Sequence, residues 1–227
     1  MRTPVLSTDG LHLQVGDHVC VLHEGAMQRT ALLLLLLDNG LADKAKCLYL
    51  VDDYTVFYQA PELFRLLKDI KHLYPGRLDF VSREEFFPGG KSFDPDATVT
   101  ILGEQESQAL KEGYTSLQVA VEMTWMLSSG VTLERIVDYE KKLNAYCGRS
   151  RCAVACAYDL LRFPPVMLVN AVTVHPLVLV HGALCNNIYY IPNPNLRLDP
   201  WASGTILRHY LQQLKECAPY LKRAQKK

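Results

Sequence analysis

The chain carries no excess of charge of either sign: 24 Lys and Arg balance 24 Asp and Glu over 227 residues. A broad nucleic-acid surface usually needs a basic excess, so direct nucleic-acid binding is not expected. The one basic run, Lys222, Arg223, Lys226 and Lys227, lies at the C-terminus and reads as a solvated tail. No apolar run reaches the roughly 20 residues that a bilayer helix needs; the Leu32 to Leu37 run is far too short. Nothing reads as a signal peptide. There is no CxxC pair, no HExxH and no GxSxG elbow, so no metal site and no hydrolase triad is expected from spacing, and no cofactor is implied. The seven cysteines are odd in number and scattered among apolar segments. They read as reduced thiols in a cytoplasmic protein.

What is present is a full core. Hydrophobic residues make up 49% of the chain. Strand-like and helix-like segments alternate, the pattern of an α/β fold with a mainly parallel sheet and helices on both faces, in three layers. Strands are expected at 17–24, 46–51, 78–81, 117–123, 152–158, 177–184 and 187–191. Helices are expected at 28–39, 61–72, 95–113, 131–147, 164–174 and 201–221. Gly40 is placed as the terminator of the first helix. The Pro- and Gly-bearing stretch 86–94 reads as a loop. Residues 1–192 form one domain; 193–227 are a linker and a C-terminal helix that packs on the same domain or on a partner.

The first strand, loop and buried helix lie where a phosphate loop would be. Such a loop needs glycines that let backbone N–H groups wrap phosphate, a Lys for the β/γ-phosphates and a Ser/Thr for magnesium. Here the stretch is His23-Glu24-Gly25-Ala26-Met27-Gln28-Arg29-Thr30. Arg29 and Thr30 stand in the Lys-Thr positions and are the possible phosphate contacts. Both required glycines are replaced, by His23 and Gln28, and Glu24 adds a carboxylate where phosphate would sit.

In open α/β sheets, ligands bind beyond the carboxyl ends of the strands. Several expected strands end in acids: Glu24, Asp52 with Asp53, Glu122 and Asp159. Together they predict an acceptor-rich rim suited to a polar or cationic small molecule or a metal. On the helix at 131–147, Glu140 and Asn144 fall four apart in the middle of the face carrying Leu133, Ile136, Val137 and Leu143. A carboxylate there needs a partner, either a tied loop or a ligand. Trp125, Phe86, Phe87 and Phe93 are expected near the rim, where they pack or wall a pocket. Cys152 and Cys156 share a strand face and read as core fillers. His18 and His181 read as core histidines inside strands; His23, at a strand end, is the better site candidate.

These motifs occur in an order that resembles the MEDS sensory domain. The matching stretches are DHVCVLHEG at 17–25, CLYLVDD at 47–53, VEMTW at 121–125, DYEKKLN at 138–144, CAVACAYD at 152–159 and HP at 175–176. They span roughly residues 15–192. The resemblance implies a RecA/KaiC-type core without an intact phosphate loop, binding of a small hydrocarbon derivative, and regulation of transcription or signalling. It carries recurrent family positions onto His18, His23, Glu24, Asp52, Glu122, Trp125, Tyr139, Glu140, Asn144, Tyr158, Asp159 and His175. The chain departs from the pattern at Ala120, where glycine is expected, with Val121 before the Glu-Met-Thr-Trp run.

Three functions follow. The first is a non-enzymatic sensor that binds a small organic ligand through His23, Glu24, Asp52, Asp53, Glu122, Trp125, Glu140, Asn144, Tyr158 and Asp159. It would signal through a protein partner such as a regulator or kinase, with a homo-oligomer as a further option. The second is a divergent nucleotide-binding protein or ATPase using Arg29, Thr30 and the Asp52-Asp53 pair. The third is a metal-binding or redox module using the rim acids, His23 and the cysteines.

Overall fold

A computed structural model describes residues 11–52, 61–86, 93–192, 194 and 200–216. The strands are β1 His18–His23, β2 Lys46–Val51, β3 Leu78–Ser82, β4 Leu117–Glu122, β5 Cys152–Asp159, β6 Leu177–Val180 and β7 Ala183–Asn186. The helices are α1 Gly25–Ala42, α2 Pro61–Leu73, the short α3 Arg83–Phe86, α4 Pro95–Lys111, α5 Leu133–Cys147, α6 Pro165–Val174 and α7 Pro200–Leu214. A 3-10 turn, Thr124–Leu127, follows β4. Among the described residues, no helix is long and apolar enough to cross a membrane.

The strands form one seven-stranded sheet in the order β3-β2-β4-β5-β1-β6-β7. All neighbours are parallel except the β6–β7 pair. The central strands β1 (HVCVLH), β4 (LQVAVE) and β5 (CAVACAYD) are buried at every position. A parallel strand covered on both faces has no wet side, so its sequence reads as a continuous apolar run and not as an alternation.

Side chains of β5 divide between two cores. Cys152, Val154, Cys156 and Tyr158 join one, with Ile136, Tyr139 and Leu143 of α5, Leu168 and Val172 of α6, and Leu207 and Leu214 of α7. Ala153, Ala155 and Ala157 join the other, with Leu32, Leu33, Leu36, Leu37 and Leu41 of α1. The period of two in a strand makes that division. The alanines leave room for the leucines of α1. The C-terminal helix α7 packs on α6, and Tyr210 stacks on Tyr189 at 3.7 Å between ring centroids.

Four expectations change. Gly40 does not end α1, which runs two residues further to Ala42. A Cβ at Gly40 would lie 2.2 Å from Oε1 of the buried Gln118 on β4, so the glycine permits close helix–strand approach. The expected strand 177–184 is instead the hairpin β6–β7, with Leu177 opposite Asn186 and Val180 opposite Ala183. Its two-residue turn is His181-Gly182, at φ 51° and 80°. Positive φ at both positions is the turn geometry that suits the twist of a hairpin. His181 is therefore an exposed turn residue and not a core histidine, and the expected strand at 187–191 is a turn. The stretch 86–94 lies largely outside the described residues, but Asp94 caps α4 by accepting from the Asp96 and Ala97 N–H groups.

Candidate functional site

Two groups of buried polar side chains stand out, on opposite faces of the sheet. The first is at the carboxyl edge, on the α1 face. Glu122 ends β4 and is buried. Arg29 Nη2, from the first turns of α1, lies 2.9 Å from its Oε1. The Tyr49 hydroxyl donates to the same oxygen at 2.8 Å, and the Asp52 N–H donates to Oε2 at 2.8 Å. Thr124 Oγ1 donates to Asp52 Oδ2 at 2.7 Å, and Thr30 Oγ1 is 3.5 Å from the Tyr49 hydroxyl. Burial pushes the Glu122 carboxyl up, against the pull of Arg29. Arg29 thus spends its charge on a protein carboxylate.

His23 belongs to the same edge. It ends β1 in register with Asp159, which ends β5. Its Nδ1 lies 3.2 Å from the Gly25 carbonyl oxygen. A carbonyl only accepts, so Nδ1 carries the proton and Nε2 offers a lone pair. Nε2 is buried without a hydrogen-bond partner among the described residues, and so is Arg29 Nε. Burial pushes the imidazole pKa down to about 4; Asp159 opposes the shift, and Arg29 and Arg162 add to it. Asp159 is turned inward as a loop tie, accepting the Leu161 N–H at 2.9 Å.

The second group lies inside the core on the α5 face. Glu140 is fully buried. Its Oε1 accepts from the Tyr158 hydroxyl. Its Oε2 lies 3.2 Å from His18 Nε2, 3.3 Å from His175 Nε2 and 3.7 Å from Cys156 Sγ. Cys156 Sγ is also 3.6 Å from His18 Nε2. Asn144 Nδ2 donates to the Val174 carbonyl, which orients its Oδ1 to accept from His18 Nδ1 at 2.9 Å. His175 Nδ1 donates to the Ala171 carbonyl at 2.7 Å. Both imidazoles are therefore held as Nδ1–H tautomers with Nε2 lone pairs facing the carboxylate. Burial, and then the neighbouring His175, lower the His18 pKa. Burial would push the Glu140 carboxyl up, but His175 and His18 hold it well below the usual carboxylate range. Burial works to discharge His18 and so weakens its share of that hold.

The expected single rim therefore divides in two. His23, Arg29, Thr30, Asp52, Glu122 and Asp159 cluster at the carboxyl edge. Glu140, Asn144 and Tyr158 lie in the core with His18, His175 and Cys156. Trp125 belongs to the α5-face core, edge-on to Phe93 at 5.1 Å, and Phe93 in turn meets Tyr139 at 5.2 Å. Glu24 is exposed at the N-cap of α1 without a side-chain capping bond. Asp53 and Phe87 lie outside the described residues.

Residues 17–176 match the family model for MEDS, the methanogen/methylotroph, DcmR sensory domain. This chain belongs to the MEDS family. It is thus a member of a family of sensory domains. No curated protein matches the chain. Both polar groups of this MEDS domain lie within the matched span.

Reasoning from spacing missed the roles of Tyr49, Thr124 and Cys156. Tyr49 and Thr124 sit in other segments than their partners, and no local pattern marks them. Cys156 had a usable signal. It shares strand parity with Tyr158 and, through the parallel register, faces the same core as His18.

Proposed function

We propose that this MEDS domain senses a small organic molecule at the carboxyl edge beside His23 and passes the signal to a protein partner. The observation that carries the reading is the pair of buried, unpartnered atoms there: an acceptor, His23 Nε2, and a donor, Arg29 Nε–H. A buried polar atom without a partner costs about 1–3 kcal/mol. A hydroxyl both donates and accepts, so one small alcohol or related oxygenated hydrocarbon satisfies both atoms together. Arg29 is near enough to His23 to lower its pKa, which fits one small molecule touching both.

The same residues disfavour an ATPase. Arg29 is committed to Glu122, and a histidine occupies the place of the first phosphate-loop glycine. A RecA/KaiC-type core with three layers is supported by the division of β5 side chains between an α1 core and an α5 core.

Isothermal titration of the full chain with straight-chain alcohols of one to four carbons tests the reading. At least one should bind saturably, and His23→Phe should weaken it at least about tenfold, the loss of roughly 1.4 kcal/mol. Glu24→Ala, at an exposed position, should bind as wild type. Absence of saturable binding to wild type, or equal affinity in His23→Phe, overturns the proposal. A rise in melting temperature with magnesium-ATP that Arg29→Ala abolishes would favour the nucleotide-binding reading.

A further inference from the structure

We propose that His18, Glu140, Cys156 and His175 form a binding site for one divalent metal ion of the zinc class, buried in the α5-face core. The four ligand atoms come from four elements: β1, α5, β5 and the residue that closes α6. Each offers one atom, and all four atoms lie within 4.8 Å of one another. Zinc binds nitrogen at about 2.0–2.1 Å and sulfur at about 2.3 Å, so a tetrahedral set has ligand–ligand edges of roughly 3.3–3.8 Å. Of the six edges, the three at Glu140 measure 3.2, 3.3 and 3.7 Å and the His18–Cys156 edge measures 3.6 Å.

Hydrogen bonding points the same way. Each histidine gives its Nδ1 proton to a fixed acceptor, Asn144 Oδ1 for His18 and the Ala171 carbonyl for His175. That is the outer shell that orients a metal-ligating imidazole and leaves Nε2 free. Glu140 is held in turn by Tyr158 through the other carboxylate oxygen. His175 Nε2 is buried and, although 3.3 Å from Glu140, makes no aligned hydrogen bond. Two Nε2 atoms, a carboxylate oxygen and a thiol thus converge as a nitrogen, oxygen and sulfur donor set that needs a central positive charge. A metal ion supplies it.

Charge then balances in a place without water. Binding M2+ by two neutral imidazoles, one carboxylate and one thiolate gives a net charge of zero, with the Cys156 proton released to solvent. A neutral buried set escapes most of the cost of burying an isolated ion. Mixed imidazole and thiolate ligands select zinc, or cobalt as its substitute, over magnesium and calcium, which take oxygen. Four protein ligands close the coordination sphere, the arrangement of a structural site. The ion would tie α5 and the end of α6 to the middle of the sheet.

The test uses the full chain. Protein stripped with a chelator is refilled with zinc or cobalt(II), and bound metal is measured by mass spectrometry. The expected result is about one ion per chain. The cobalt form should show a thiolate-to-metal charge-transfer band that Cys156→Ser removes while retaining native circular dichroism. Stripping should lower the melting temperature by roughly 10 °C relative to protein in a thousandfold excess of free zinc over its Kd. If Cys156→Ser does not fold, X-ray absorption of the wild-type zinc form decides the matter through one sulfur and three nitrogen or oxygen neighbours. Folded wild type that takes up no zinc, with the histidines holding protons instead, overturns the proposal. So does a cobalt spectrum that Cys156→Ser leaves unchanged, or a zinc shell without sulfur.

Discussion

His23 enters the fold as a neutral ring, and neutrality has a consequence for stability. In the unfolded chain its pKa is near 6.5, while in the fold burial holds it at about 4. Below pH 6.5 the unfolded state takes the proton first. The contribution of His23 is therefore complete above pH 6.5 and is lost as pH falls toward 4. From pH 7.5 to pH 5 the loss is about 2 kcal/mol. Urea unfolding of wild type and of His23→Gln at both pH values isolates it. Wild type should lose about 2 kcal/mol more than the variant over that interval; equal losses would show that His23 is not buried as a neutral ring. Part of this was legible beforehand. His23 stood out because it ends a strand, but its bond to the Gly25 carbonyl, which leaves Nε2 as the unpartnered nitrogen, depends on a backbone turn at Gly25 (φ 78°) that no residue pattern specifies.

At the scale of elements, the β6–β7 hairpin shows where patterning loses resolution. The run Leu177 to Leu184 is apolar through most of its length, so it reads as one strand. The chain breaks it at His181-Gly182, where Gly182 is a turn signal but histidine is an unusual first residue. Asn-Gly is the preferred pair for this turn because asparagine tolerates positive φ. His181→Asn should stabilise the protein by up to about 1 kcal/mol, a rise of roughly 2–4 °C in melting temperature. His181→Val should lower it, since a branched side chain resists positive φ. A lower melting temperature for the asparagine variant would show that the turn is not of this type. The strands β1 to β5 and the helices α2, α4, α5 and α6 were readable to within a few residues. The buried runs of β1, β2 and β5 and the Asp94-Pro95 start of α4 carry strong local signals. The end of α1 did not, because Gly40 serves packing against Gln118 and not termination.

At the scale of the molecule, the sheet separates two chemistries that strand-end reasoning had merged. Both groups draw on β5 and its neighbours, so sequence proximity to strand ends could not tell them apart. Parity could in part: Tyr158 and Cys156 face α5, and Ala157, the register partner of Glu122, faces α1. What parity does not supply is the strand order that sets β4 beside β5 and β5 beside β1, and that order comes only from long-range pairing. The separation predicts how substitutions combine. Arg29→Met strands the buried Glu122 carboxylate and should cost about 3–5 kcal/mol. Tyr158→Phe removes one bond to Glu140 and should cost about 1–3 kcal/mol. Acting on opposite faces with no shared partner, the two should add to within about 0.5 kcal/mol in urea unfolding. Arg29→Met with Glu122→Gln should instead fall short of additivity by more than about 1 kcal/mol, because the second change removes the charge that the first left unpaired. Strong coupling between Arg29→Met and Tyr158→Phe would mean that the two clusters act as one site through the sheet.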